Sequence, residues 1–257
     1  MNSTAKKIAL SFLTSGLLAG VGLVFFLLNP AFLYAHQTAT PHYTIYHNQP
    51  LDPALLPRLA QARALVQQSA WFDSTLKLNL CLNDGSAYPG VVEKLLGPAF
   101  GWSVYHSVVL SGKADWQANY EALNGYKWNL VQLLAHEATH CYQLRHLGVW
   151  RMNPLVRHYP TWKTEGYAEY VARRGDNYPA LRQQVQQLQH AERAAPGAWG
   201  IRLADSTNAS REYATYLLLT AYCLDVKQLT YSQLLADTTS EQVVRRQVLS
   251  WYQQANH

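Results

Sequence analysis

Charge is scarce in this sequence. Asp, Glu, Lys and Arg make up 14% of the 257 residues, against 49% apolar residues, and the net charge is only +5. A disordered chain needs the opposite balance, so the composition excludes one. The Lys and Arg residues are scattered, with no cluster beyond the pairs Lys6-Lys7, Arg173-Arg174 and Arg245-Arg246. Nucleic-acid binding usually leaves a dense basic stripe, and no nucleic-acid partner is expected here. The two Met residues argue against a Met-rich adaptive surface. The three cysteines, Cys81, Cys141 and Cys223, form no CxxC pair and no Cys/His spacing of a structural zinc finger. One disulfide plus a free thiol and three reduced, buried thiols both remain open. No repeat with a period of about 20–50 residues stands out, so a solenoid or propeller is excluded.

Long apolar runs are missing too, with one exception. Residues Ile8 to Leu28 (IALSFLTSGLLAGVGLVFFLL) contain no charged side chain. As a helix this run would reach about 30 Å, the thickness of bilayer hydrocarbon. Lys6 and Lys7 precede it, and no Lys or Arg follows until Arg58. The positive-inside rule then puts the N-terminus in the cytoplasm and the rest of the chain outside, periplasmic or extracellular. The expected organisation is a cytoplasmic tail over residues 1–7, a transmembrane signal-anchor over 8–29 contacting the membrane, a Pro-bearing linker over 30–50 and one domain over 51–257. A cleaved signal peptide is the competing reading. The length of the run opposes it, as does Leu33 where a small cleavage-site residue belongs. Oligomeric state is left open.

In the remaining chain, Pro53 to Gln68 has helical apolar spacing. Leu76 to Leu82 alternates as a half-buried strand and ends at the Asn83-Asp84-Gly85 turn; Trp102 to Leu110 reads as a second strand. Helical patterns follow over Trp128–Leu147, stopped by Gly148, and over Trp162–Arg174, capped by Thr161. Three more cover Tyr178–Arg193, Glu212–Val226 and Glu241–Gln253. Strands before helices point to an α+β domain: a small N-terminal sheet, then a mostly helical part.

The residues that carry chemistry are His136-Glu137-Ala138-Thr139-His140, an HExxH motif inside the strongest helical pattern. Positions four apart lie about 40° apart around a helix, one turn along it. Two imidazoles can therefore reach one zinc ion, and Glu137 can act as general base on a water beside it. Zinc takes a third protein ligand and leaves one position open for water. Glu165, Glu169 and His146 are the downstream candidates. His146 would complete HExxHxxGxxH, but Gln143 stands where that pattern needs the Gly that turns the chain. On a continuous helix His146 points about 240° away from His140.

Glu165 lies in Trp162-Lys163-Thr164-Glu165-Gly166-Tyr167-Ala168-Glu169-Tyr170. With HExxH upstream, this stretch resembles the gluzincin zinc metallopeptidases, whose aminopeptidase branch carries W-x-x-E-G-x-A-x-Y. The resemblance implies a zincin-like domain with His136, His140 and Glu165 as zinc ligands and Glu137 as general base. It implies that Glu169 hydrogen-bonds a zinc-bound His, as a carboxylate at that spacing does in the thermolysin-type branch. It also implies a Tyr donor for the oxyanion from a later helix, with Tyr213 and Tyr216 as candidates. His106 and His158 could approach the cleft as well, although surface or structural roles suit both. Two departures stand out. Twenty-four residues separate His140 from Glu165, more than the family's usual separation, with Asn153-Pro154 and Tyr159-Pro160 in the extra loop. No G-x-M-E-N stretch occurs, which argues against an aminopeptidase specificity. The expected function is zinc-dependent hydrolysis of a peptide or protein substrate. The alternative is a catalytically silent, zinc-bearing binding or scaffold module on the membrane surface, which would have no need of Glu137.

Overall fold

The computed structural model describes residues 3–152, 156, 158–175, 179–203 and 206–254, with residues 3–13 and 19 described by backbone alone. Helix α1 (Ser3–Leu28) and a 3-10 turn (Pro30–Leu33) lead into β1 (His36–Ala39), β2 (Tyr43–His47), α2 (Leu55–Val66), β3 (Leu78–Cys81) and α3 (Tyr88–Leu96). Five short strands follow: β4 (Gly101–Val104), β5 (Ser107–Leu110), β6 (Lys113–Asp115), β7 (Tyr120–Leu123) and β8 (Tyr126–Asn129). The rest is mainly helical: α4 (Leu130–Leu147), α5 (Val149–Met152), α6 (Thr161–Arg173), α7 (Leu181–Ala194), the pair β9 (Gly200–Arg202) and β10 (Asn208–Ser210), then α8 (Arg211–Ala221), α9 (Tyr231–Ala236) and α10 (Glu241–Gln254). This is an α+β architecture.

The main sheet runs β1-β2-β3-β5-β4, parallel in its centre and antiparallel at both edges. Alternation along its central strands supplies two apolar faces. Leu78, Leu80, Val108 and Leu110 join the large core shared with α2, α4, α6 and α8. Cys81 and Val109 point the other way, onto Tyr88 and Val92 of α3. The strand expected to be half-buried is therefore buried on both faces, as is usual where helices cover a sheet on either side. Its polar position, Asn79, is satisfied inside by Ser107 Oγ at 3.1 Å.

Residues 30–50, expected as a linker, instead supply β1 and β2. Tyr43 and Ile45 of β2 are buried in the core, and the strand pairs in parallel with β3. The expected strand over 102–110 is a hairpin: Tyr105 takes a positive φ of 58° and turns β4 back along β5. Asn153 and Pro154, the first turn of the long loop, lie outside the described residues, as does Tyr178 at the start of the expected helix.

Among the described residues, no helix is long and apolar enough to cross a membrane. This overturns the transmembrane signal-anchor expected over residues 8–29 and, with it, the single-pass placement with the domain outside. Helix α1 does form. Its described side chains span Thr14 to Leu28, about 22 Å of helix, and Thr14, Ser15, Gly16, Gly20 and Gly22 dilute their apolar character. The end of α1 also leans on the domain: Tyr88 Oη donates to the Leu27 carbonyl at 2.7 Å, and Leu27, Leu33 and Tyr34 pack on the α3 side of the sheet.

Candidate metal centre

Helix α4 begins where Asn129 accepts from the Gln132 N–H and ends where Gly148, at φ 83°, leaves the helix. Between them, the motif residues fall in the most enclosed stretch of the helix, with His136, Glu137, Ala138 and Thr139 all buried. Helix α6 packs alongside. Pro160, not the expected Thr161, occupies its cap position. Gly166 lets α8 come close against α6, because a Cβ there would collide with Thr220 Oγ1 and the Tyr216 carbonyl.

This packing brings three donor atoms together. His136 Nε2 and His140 Nε2 lie 3.1 Å apart, and Glu165 Oε2 lies 3.3 Å from the first and 3.2 Å from the second. Those separations match the edge of a tetrahedral coordination sphere, about 3.3 Å for metal–ligand bonds near 2.0–2.1 Å. His136, His140 and Glu165 thus form a group that could hold a metal ion. Two imidazoles and one carboxylate suit a borderline divalent cation.

Both imidazoles are oriented from behind. His136 Nδ1 faces Glu169 Oε1 at 3.0 Å, and Glu169 Oε2 accepts from Arg173 Nε. Arg173 in turn donates to Gln132 Oε1 at 2.8 Å. His140 Nδ1 donates to Gln143 Oε1 at 2.6 Å, while Gln143 Nε2 donates to the Thr164 carbonyl and to Tyr231 Oη. With protons on both Nδ1 atoms, both Nε2 lone pairs face the same point. Such partners usually fix the tautomer of a metal-binding His.

The electrostatics favour a cation at that point. Burial would raise the Glu165 carboxyl, but His140 and His136 hold it well below the ordinary carboxylate range. Burial opposes ionisation of Glu169 too, and Arg173 and His136 bring it down to about 2. Burial would lower both imidazoles, but the carboxylates, Glu165 foremost, override it and raise them. Glu137 goes the other way: burial raises its carboxyl, only partly offset by His136 and His140. A buried carboxyl shifted upward next to a metal group can both take and return a proton.

Glu137 borders a cavity of about 230 Å³. The backbone around Gly101, on edge strand β4, forms one wall; a Cβ on Gly101 would lie 3.2 Å from Glu137 Cγ. The start of α8 forms the other wall. There Ser210 caps the helix, accepting from the Tyr213 N–H, and the Tyr213 ring stacks on His136 with centroids 5.7 Å apart. Burial pushes the Tyr213 phenol far up, and the Glu165, Glu137 and Glu169 carboxylates add to this. No family model, curated protein or solved structure matches this chain. The function is therefore argued from the site itself.

Of the residues singled out in the sequence, His136, Glu137, His140, Glu165, Glu169 and Tyr213 come together here. Tyr216 does not line the cavity, and its hydroxyl donates to Glu212 Oε1 at 2.6 Å. His146 is exposed and stacks on Trp71, with centroids 4.3 Å apart. His106 sits in the β4–β5 turn, and His158 is exposed. All three cysteines are free and buried. Sequence reasoning missed Gln143, Arg173, Gln132 and Tyr231. Two signals were available: Gln143 lies one turn after His140, and Arg173 one turn after Glu169. Nothing in the sequence pointed to Tyr231.

Proposed function

We propose that this chain is a zinc-dependent peptidase, with His136, His140 and Glu165 as metal ligands and Glu137 as general base. The convergence of three donor atoms within 3.1–3.3 Å of one another, with the Glu137 carboxyl beside them at the cleft, carries this reading. The likeness of HExxH and the Trp162–Tyr170 stretch to the gluzincins supports it independently of geometry.

A bound zinc ion would supply Lewis acidity, making a water nucleophilic near neutral pH and polarising a carbonyl. The protein residues do the rest. Glu137 takes the proton of the attacking water and delivers it to the departing amine nitrogen. The Tyr213 hydroxyl donates to the oxygen that gains charge as the carbonyl carbon becomes tetrahedral. Edge strand β4 receives the substrate as an added strand, holding its backbone extended beside Glu137. Glu169 and Gln143 keep the imidazoles aimed.

Replacing Glu137 with Gln tests the reading. The variant should bind zinc in the same ratio as the parent and lose hydrolysis by about 10²–10⁴-fold. Parent-like turnover in Glu137→Gln would sink the mechanism.

A further inference from the structure

The cleft beside the metal group has walls whose chemistry selects its contents. Phe100, Trp128, Leu133 and Trp199 make its apolar surface. Its charged lining is entirely acidic apart from the metal-group imidazole: Glu137, Glu169 and Glu212, with no Lys or Arg among the described lining residues. Two of these carboxylates are accounted for. Glu169 is held by Arg173 and His136, and Glu137 faces the reacting centre. Glu212 makes no ion pair among the described residues. It is exposed, in the first turn of α8, with Oε1 anchored by the Tyr216 hydroxyl at 2.6 Å. A neutral donor fixes the direction of that carboxylate and leaves its charge in place. The next residue, Tyr213, stacks on His136, and Glu212, Tyr213 and His136 line the same cavity.

We propose that this cleft takes a Lys or Arg side chain of the substrate, in a residue flanking the scissile bond, with Glu212 as the counter-ion that sets the preference. This deepens the peptidase reading and rests on it for the word substrate. The apolar stem of such a side chain lies against Leu133 and the rings, and Trp199, 51% exposed, offers its face to the cation. A cavity of about 230 Å³ has room for one long side chain and little more. Acidic side chains are turned away by the unpaired Glu212 carboxylate.

The test uses the full chain loaded with zinc and reads binding rather than turnover. Trp128 and Trp199 line the cavity, so Trp fluorescence reports its occupancy. The probes are N-acetylarginine amide, N-acetyllysine amide, N-acetylnorleucine amide, N-acetylglutamate amide and norleucine amide with its free α-amine. The two cationic side-chain probes should bind about tenfold more tightly than N-acetylnorleucine amide, the gain of a partly desolvated cation among rings and a carboxylate. Glu212→Gln, which retains an acceptor for Tyr216, should bring that ratio to about one. Glu212→Lys should turn the preference towards N-acetylglutamate amide. Equal binding of charged and neutral probes overturns the proposal, as does a cation preference that survives Glu212→Gln. Norleucine amide binding as tightly as N-acetylarginine amide, in a Glu212-dependent way, overturns the side-chain assignment and moves the cation to a free amino terminus. Hydrolysis is measured separately on longer peptides. An intact probe preference without any cleavage would bring down the peptidase reading and leave the cation pocket standing.

Discussion

Glu121, fifteen residues before His136, should make the stability of this protein fall as pH rises. Its side chain, in the middle of β7, is completely buried. Oε1 accepts from the Gly112 N–H, and Oε2 is buried with no hydrogen-bond partner among the described residues. Burial pushes its carboxyl up to about 8 against an ordinary 4.5; the Gly112 and Ser111 N–H groups oppose this, and the nearby Glu137 adds to it. Below the ordinary value the group is protonated in both folded and unfolded chains, and nothing is lost. Between there and about pH 8 the unfolded chain has released the proton while the folded chain keeps it, so stability declines with rising pH. Above that window the loss is complete and amounts to roughly 3–5 kcal/mol. Glu121→Gln keeps the acceptor for Gly112 and cannot ionise. Urea unfolding of parent and variant, followed by Trp fluorescence at about pH 5, 7 and 9 with a chelator present, reads the effect, because titrating groups that do not interact with Glu121 cancel in the difference. The variant should gain on the parent steadily across that range. Parallel curves, with a constant difference from acid to alkali, would refute the reasoning.

Three further predictions concern the metal group and its frame. Glu165→Ala should lose the metal while His146→Ala keeps it, as read by metal content per chain; the opposite pattern would transfer the third ligand to His146. Gln143→Leu should weaken metal affinity by about 10–100-fold in a chelator competition, since His140 loses the acceptor that orients it; parent-like affinity would show that the ring needs no such support. Gly166→Ala should destabilise by about 1–3 kcal/mol or more, because its methyl meets the Tyr216 backbone carbonyl as well as Thr220 Oγ1, and the backbone cannot simply swing aside; an unchanged Tm would mean that α6 and α8 are less tightly seated.

The candidate metal group was legible in the sequence for a physical reason. HExxH fixes its own geometry through the helix period, and Glu165 and Glu169 inherit theirs the same way, so local spacing carries most of the site. What packs behind it is not local. Tyr231 reaches Gln143 from α9, a helix of six residues too short to show periodicity. The β6–β8 meander was invisible because its strands have three or four residues each and mix polar with apolar side chains. Residues 30–50 looked like a linker because prolines and histidines obscure a strand whose partner, β3, lies more than thirty residues away. The apolar N-terminal run suggested a membrane span because charge was counted there and the small and hydroxyl residues were not weighed.

The metal group also has a consequence for folding. Its donors come from two helices, and twenty-four residues, including the short α5, lie between His140 on the first and Glu165 on the second. An ion seated on all three would tie the two helices together in the folded chain, whose cysteines are all free, while leaving the unfolded chain unconstrained, as a disulfide would not. Closing a loop of this size in the denatured chain is costly in entropy, and an ion that binds only the native arrangement offsets that cost. Each tenfold excess of free metal over its dissociation constant would then add about 1.4 kcal/mol to the folded state. Site occupancy and fold stability become one quantity, and metal supply would govern how long the intact chain survives.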